Sequence, residues 1–427
     1  MKIHLDLDCY FVSAERTRHK WLKKRCVVVA KGTDKKIFSK AKKKSSLYLD
    51  SGAFNPVLEF KQEPTSEDIS NIYKKEFVTN EIIGGVVIAK SYETKIYGIQ
   101  TGMSLKEAFA RCKELIALPS DHGFYQELSL KLKNYLKKQI PTLEQYSIDE
   151  FFGDLDGWIA QKDTFEFIKK LQSDVLELFD LPITIGASDS KWIAKLITDN
   201  IKPYGIKVVT RKDIKDFTRN FKVEDFPGIG NAITKKLHSR YIYTIGDLQK
   251  SPNILKSYGK MGKDLYKRIQ GLDDESVIAS RKRKSLGIGR NFKPINSREE
   301  AKRRVVILAR YLSYTIIKLE LNPTTLFLKI KYQYHIKSYT SISENRLFSE
   351  KVFISLCLEM LYKVDTHKSH NIIYIGLSVS NFLEKRDFKT LSLFEYENDK
   401  NMHILTKRLN DIRDKWGIDS IRYGIEI

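Results

Sequence analysis

The most regular pattern in the chain lies at its start. Lys2-Ile3-His4-Leu5-Asp6-Leu7-Asp8 alternates without a break, which predicts a strand with Asp6 and Asp8 on one face and Ile3, Leu5 and Leu7 on the other. Cys9 to Glu15 then turns into a helix, and the apolar run Cys26-Val27-Val28-Val29-Ala30 predicts a second strand. A third, Gly85 to Ala89, precedes a helix from Ser104 to Cys112. Further on, the spacing predicts helices over 126–138, 164–178 and 192–200, a strand over 183–186, and a hairpin over 146–155. Lys202-Pro203-Tyr204-Gly205 supplies the breakers that end the last of these helices. Ser297-Arg298-Glu299-Glu300 is a capping box opening a helix to about Leu319. Segments 326–334 and 372–382 read as strands, the first with Lys329 and Lys331 on one face. Between 35 and 80 strong periodicity is absent; Gly52, Pro56 and Pro64 interrupt it, and only 66–77 looks helical. Such a stretch reads as an insertion or a lid.

The hairpin carries the least expected residues. Tyr146-Ser147-Ile148-Asp149-Glu150-Phe151-Phe152 sets two adjacent carboxylates in an apolar, aromatic run. An unpaired buried carboxylate is very costly, and no Lys or Arg lies within five residues on either side. The counter-charge must come from a distant part of the fold or from a metal. Consecutive side chains on a flat strand diverge, so both acids serve one site only if 147–150 is the bend. With Asp6 and Asp8, three or four carboxylates on adjacent strands make an oxygen-rich site suited to Mg²⁺. A solvated strand face or an acidic turn explains either segment alone, but both together much less well.

At 427 residues the length suits about three domains. Apolar residues make up 42%, enough for substantial cores. The 75 basic and 53 acidic residues leave +22, which favours a polyanionic partner, nucleic acid or an anionic membrane. A membrane is disfavoured: no apolar run is long enough to span one, and the N-terminus has no secretory core. Cys9, Cys26, Cys112 and Cys357 form no C-x-x-C pair and read as reduced thiols of a cytoplasmic protein. Basic residues cluster at Lys35, Lys36, Lys40, Lys42, Lys43 and Lys44, and again at Arg281-Lys282-Arg283-Lys284. No internal repeat or low-complexity tract interrupts the chain.

Asp6-Leu7-Asp8-Cys9-Tyr10-Phe11, followed at a distance by Ser147-Ile148-Asp149-Glu150, resembles the paired catalytic motifs of the Y-family, or translesion, DNA polymerases. Later segments extend the resemblance in order. Tyr92 and Lys95 share a helical face and resemble the pair that grips the triphosphate. The family often has arginine at the second position and a hydroxyl residue where Ala89 stands; both departures resemble the branch of the polymerase V catalytic subunit. Gly186 to Lys191, with Lys202-Pro203-Tyr204-Gly205, resembles the block whose final lysine reaches the triphosphate. Read alone, Lys202 is an ordinary helix C-terminal charge. Phe226-Pro227-Gly228-Ile229-Gly230 between two short helices is the helix-hairpin-helix pattern, in which Gly228 and Gly230 let backbone N–H groups approach a DNA phosphate. Gly259-Lys260-Met261-Gly262 and Tyr266 fit the end of the same small thumb. Thr390-Leu391-Ser392-Leu393-Phe394 resembles the bacterial clamp-binding peptide, with Thr390 where glutamine is usual and Leu391, Leu393 and Phe394 as apolar anchors. A buried strand would look the same. The terminal Arg422-Tyr423-Gly424 again resembles the polymerase V branch.

The resemblance implies a multidomain α+β right-hand polymerase. It sets a palm over 1–10 and 121–210, fingers over 11–120 with an insertion at about 35–80, and a helix-hairpin-helix thumb over 211–280. A basic linker over 281–286 and a little finger over 287–427 complete it. It further implies template-directed addition of dNTPs to a primer 3′-hydroxyl opposite damaged or undamaged template. Asp6, Asp149 and Glu150 would be catalytic and, with the Leu7 carbonyl, would hold two Mg²⁺ ions. Tyr10, Phe11, Tyr92, Lys95 and Lys202 would bind the nucleotide. Phe11 is the steric gate against a 2′-hydroxyl, though without the resemblance it reads as a core aromatic. Implied partners are primer-template DNA and dNTPs, with a bacterial sliding clamp and polymerase V-type accessory subunits left open. The insertion reads as a solvated loop in preference to a DNA contact. The alternative is a non-catalytic or partner-dependent DNA-binding relative acting in damage tolerance, which lost carboxylates would mark. A palm-fold cyclase or other nucleotidyltransferase would lack the Gly228–Gly230 hairpin and the basic C-terminal region.

Overall fold

The computed structural model describes residues 1–32, 37–38, 77–79, 82–383 and 396–427. The insertion from 35 to 80 and the clamp-like Leu391, Leu393 and Phe394 lie almost wholly or wholly outside the described residues. Strand β1 (Lys2–Leu7) is the centre of a five-stranded sheet. The elements used below follow in chain order: α1 (Tyr10–Arg18), β2 (Val27–Lys31), β3 (Val86–Lys90), α2 (Leu105–Arg111), β4 (Ile116–Pro119), α3 (His122–Gln139), β5 (Thr142–Gln145), β6 (Glu150–Asp154), α4 (Thr164–Phe179), β7 (Ile183–Ser188), α5 (Lys191–Ile201) and β8 (Ile206–Val209). The central sheet runs β8-β7-β1-β6-β5, with β1 antiparallel to both neighbours.

Alternation in β1 holds, but neither face reaches solvent; all six residues are buried. Ile3, Leu5 and Leu7 pack with Leu132 and Leu136 of α3 and with Ile168, Leu171 and Val175 of α4. The polar side lies under α5. His4 pairs with Gly186 across the sheet, and a Cβ on Gly186 would sit 2.4 Å from the Ala194 carbonyl oxygen and 2.7 Å from Thr198 Oγ1. Only glycine lets α5 come this close. Thr198 Oγ1 donates to the His4 carbonyl, 3.2 Å away, so α5 is held on the strand by a hydrogen bond as well as by packing.

A smaller sheet, β3-β2-β4, with α2 forms a second core around Val28, Val87, Ile99, Leu105 and Ala108. Ser104 caps α2 by accepting from the Glu107 N–H at 3.2 Å. Helix α1 joins the two units: Tyr10, Val12 and Ala14 lie in the core of the central sheet with Val27 and Val29 of β2. The thumb-like core of Phe226, Leu237, Ile245, Leu248 and Leu265 is continuous with Ile193, Leu196 and Ile197 on the outer side of α5.

The C-terminal unit has β9 (Ser285–Ile295), α11 (Arg298–Lys318), β10 (Pro323–Tyr332), β11 (Lys337–Ser343), α12 (Glu350–Val364), β12 (Ile372–Phe382) and α13 (Tyr396–Trp416), following the thumb helices α6 (Ile214–Thr218), α7 (Asn231–His238), α8 (Ile245–Lys250), α9 (Pro252–Lys256) and α10 (Gly259–Ile269). Its sheet order is β9-β12-β10-β11. Strand β9 starts at Ser285, inside the expected linker, because its pairing with β12 begins at Ser285–Ser380. Strand β10 stops at Tyr332, short of the expected Tyr334, where Tyr334 and His335 take positive φ and reverse the chain. Leu328, Ile330 and Tyr332 point into the core while Lys329 and Lys331 lie half-buried on the other side. Among the described residues no helix is long and apolar enough to cross a membrane.

Gly186→Ala should cost roughly 1–3 kcal/mol by forcing α5 off β7. A lower denaturation midpoint in urea checks this; an unchanged midpoint would show that α5 can slide outward without loss.

Candidate active site

Strand β5 ends at Gln145 and β6 begins at Glu150, so Ser147 to Asp149 form the bend that the two adjacent acids require. The Tyr146 and Ser147 N–H groups both donate to the Glu150 carbonyl, closing it. Across the sheet Asp6 pairs directly with Glu150, and the Leu7 N–H donates to the Asp149 carbonyl at 3.0 Å. Three carboxylates are thereby gathered at the end of the central sheet. Helix α5 supplies the opposing charge: Lys195 Nζ is 2.8 Å from Glu150 Oε1, and Lys202, its C-cap, is 2.6 Å from Asp6 Oδ2. The Ser147 hydroxyl bonds Asp149. With each acid drawn to its own partner, the three do not bring their oxygens within 4.8 Å of one another as a set.

The balance of charge is incomplete. Burial pushes the Asp6 carboxyl up to about 8, against the pull of the Lys202 ammonium. Burial also raises Asp149, opposed by the Ser147 hydroxyl. For Glu150 burial acts in the same direction but is outweighed, and the group is held well below the usual carboxylate range. The His4 ring and the Lys195 ammonium both face it, but His4 Nε2 is 3.8 Å from Glu150 Oε2, too far for a hydrogen bond, so Lys195, charged and 2.8 Å away, carries the effect. His4 itself is fully buried, which favours the neutral ring, and neither ring nitrogen has a hydrogen-bond partner. Two buried acids with raised pKa values mark a site that still favours further positive charge.

Asp8 behaves differently. Its carboxylate accepts from Thr184 Oγ1 at 3.0 Å, the Tyr204 N–H at 2.8 Å and the Tyr92 hydroxyl at 3.2 Å. These three donors occupy most of its acceptor sites, so it ties β7, the turn after α5 and the 92–97 segment together.

The chain matches the model of the impB/mucB/samB family over residues 5–199, that family's C-terminal domain over 283–393, and the DNA polymerase-iota thumb domain over 224–273. A DNA polymerase IV of Streptococcus gordonii (strain Challis) is 30% identical over 302 residues, covering 70% of this chain and 85% of that protein. A DNA polymerase IV of Staphylococcus aureus (strain Mu3) is 28% identical over 317 residues, covering 73% and 88%. The chain belongs to the Y-family of DNA polymerases. Its fold agrees: a Y-family polymerase chimera, Dbh-Dpo4(243-245)-Dbh, superposes with a TM-score of 0.69 at 20% identity, over 90% of this chain and 99% of that one. An insertion ternary complex of Dbh DNA polymerase gives 0.57 at 20% identity, over 90% and 99%.

The other residues that the Y-family motifs single out lie as follows. Tyr10 is buried and its hydroxyl donates to the Tyr125 carbonyl, so its ring belongs to the core. Phe11 is half-buried, stacked on Tyr125 at 4.6 Å and edge-on to His122 at 5.3 Å. Tyr92 and Lys95 lie in a 3₁₀ segment, Tyr92–Tyr97, where residues three apart eclipse; Lys95 Nζ sits 4.5 Å over the Tyr92 ring. Gly228 takes φ +101°, and Gly230 is the N-cap of α7. Gly228 and Gly230 are brought together in one turn, but in the thumb, away from the carboxylates.

Three side chains had no role assigned from the sequence. Lys195 and His4 bear on Glu150, and Lys191 is fully buried, 2.5 Å from Glu144 of β5. The spacing of Lys191 and Lys195, one helical turn apart, was the available signal; nothing local marked Glu144 as buried.

Asp8→Ala would orphan the Tyr204 N–H and the Thr184 hydroxyl, with a cost of roughly 1–3 kcal/mol. Chemical denaturation should show that loss; wild-type stability would mean that water replaces the carboxylate.

Proposed function

We propose that Asp6, Asp149 and Glu150 are the metal-holding acids of a template-directed DNA polymerase of the translesion class. The observation that carries this reading is the cross-strand pairing of Asp6 with Glu150, with Asp149 in the adjoining bend and the whole cluster short of positive charge. Y-family enzymes use divalent cations, and the donor set here suits them: hard carboxylate oxygens, with the Leu7 carbonyl, fit two Mg²⁺ ions better than a softer metal. When bound, such ions acidify the primer 3′-hydroxyl and neutralise charge on the leaving pyrophosphate.

The chain's own residues position the reactants. Lys202 balances Asp6; once a cation does so, its ammonium is left for a phosphate. Lys95, exposed above the Tyr92 ring, offers a second ammonium to the triphosphate, as a point charge without the fork of arginine. Phe11, braced by Tyr125 and His122, provides a rigid surface against which a 2′-hydroxyl would clash. The Gly228–Gly230 turn presents backbone N–H groups to the duplex phosphates. Primer-template DNA and dNTPs are therefore the partners of this site, and the working place is the bacterial cytoplasm. Contact with a sliding clamp through Leu391, Leu393 and Phe394, and with polymerase V-type accessory subunits, rests on sequence resemblance alone.

Primer extension on undamaged and abasic templates with Mg²⁺ tests the central claim. Asp149→Ala/Glu150→Ala should lower the rate by at least roughly 10³-fold, the scale of several kcal/mol of lost transition-state stabilisation. Residual extension near wild type would remove these acids from the chemistry. Phe11→Ala should raise ribonucleotide incorporation while leaving dNTP addition in place; unchanged sugar selectivity would sink the gate assignment.

A further inference from the structure

Two buried cysteines and one glutamate in the fingers unit are not used by the polymerase site. Cys26 precedes β2, Cys112 is the C-cap of α2, and Glu114 lies in the turn leading to β4. The backbone fixes all three. The Ile116 N–H donates to the Cys26 carbonyl at 2.9 Å, the Leu115 N–H to the Cys112 carbonyl at 3.3 Å, and the Cys112 N–H to the Ala108 carbonyl at 3.0 Å. Sheet pairing, helix end and turn therefore bring the side chains to one edge without relying on a flexible loop. The two sulfurs and one Glu114 oxygen lie within 4.8 Å of one another, with Cys26 Sγ 3.7 Å from Glu114 Oε1.

We propose that Cys26, Cys112 and Glu114 bind a thiophilic divalent cation, with Zn²⁺ as the natural class. A tetrahedral Zn²⁺ with Zn–S of ~2.3 Å and Zn–O of ~2.1 Å sets its ligands about 3.6–3.8 Å apart, so the Cys26–Glu114 pair already has the spacing. Two sulfurs select this ion over Mg²⁺, and the all-oxygen palm site has the opposite preference. Cys112 is 1% exposed and Cys26 7%, while Glu114 is exposed and gives the ion its way in. The fourth position faces solvent through Glu114 and takes water. Binding releases one proton from each thiol.

The site has an outer partner of functional interest. The Tyr97 hydroxyl donates to Glu114 Oε1 at 3.0 Å, and Tyr97 ends the same 3₁₀ segment that carries Tyr92 and Lys95. Holding Glu114 on a cation therefore also fixes that segment at one end, in the way outer partners of a metal site are held.

The test uses the full-length protein, reduced and chelator-treated, titrated with Cd²⁺ while the ultraviolet thiolate-to-cadmium charge-transfer band is followed. Carboxylates give no such band, so the palm site is silent. The expected result is saturation at one equivalent, displacement by Zn²⁺, and the same titration for Cys9→Ser. Cys112→Ser, which leaves the Cys26 thiolate, should cut the band to about half or less and weaken binding, and Glu114→Ala, at an exposed position, should weaken binding by about 10-fold or more, at least what an outer partner commands. If Cys112→Ser does not fold, Glu114→Ala and the wild-type stoichiometry decide alone. No band in the wild type, an undiminished band in folded Cys112→Ser, or Glu114→Ala binding as tightly as wild type would overturn the proposal. So would a thiol count of two rather than four under denaturing conditions in the protein before reduction, which would make the pair a disulfide.

Discussion

Like charges packed at the end of one sheet are the constraint that shapes this molecule. Asp6, Asp149 and Glu150 cannot all ionise in a buried setting without counter-charge. Helix α5 provides it from a later part of the chain, with Lys195 on Glu150 and Lys202 on Asp6. The helix can do this only because Gly186 removes the side chain that would keep it away from the sheet. A missing Cβ on one strand is thus a condition for the electrostatics of the next.

The same helix faces two ways. Its inner side closes over the acids, and its outer side, Ile193, Leu196 and Ile197, is part of the thumb core. Arg268 of α10 stacks over Trp192 at 4.4 Å. At its start, buried Lys191 pairs with Glu144, whose carboxylate also receives the Ile278 N–H at 2.8 Å and Arg281 of the basic tether at 2.7 Å. The thumb, the tether and the acid cluster therefore share one rigid element. Breaking such a buried pair is far more costly than losing a surface ion pair, because a charge is left alone in the core.

Much of this was legible in the chain. Alternation in 2–8 located the strand that proves central, and the helical segment 192–200 with its breakers at 202–205 located α5. The two acids inside an apolar run demanded a bend at 147–150, which the ladder has. The shape of the C-terminal unit was less legible. Its closure depends on Arg310 bonding Glu426 and Asp419, and on Arg413 bonding Glu350, all buried. Such pairs span tens to more than a hundred residues, and no local pattern announces them. The polar face of β1 was misleading in the same way: alternation separates two faces but does not say what covers each.

By itself the sequence determined the elements, the acidic hairpin, the order of the motifs and the +22 charge that suits a polyanion. These follow from local rules, side-chain period, turn chemistry and composition, which act within a few residues. The tertiary structure alone decided which cation answers which acid, that the Tyr10 ring belongs to the core, that Asp8 is held by three donors, and that Cys26, Cys112 and Glu114 meet. Those outcomes depend on distances between segments far apart in the chain. Only the packing of α5 and the sheets sets them.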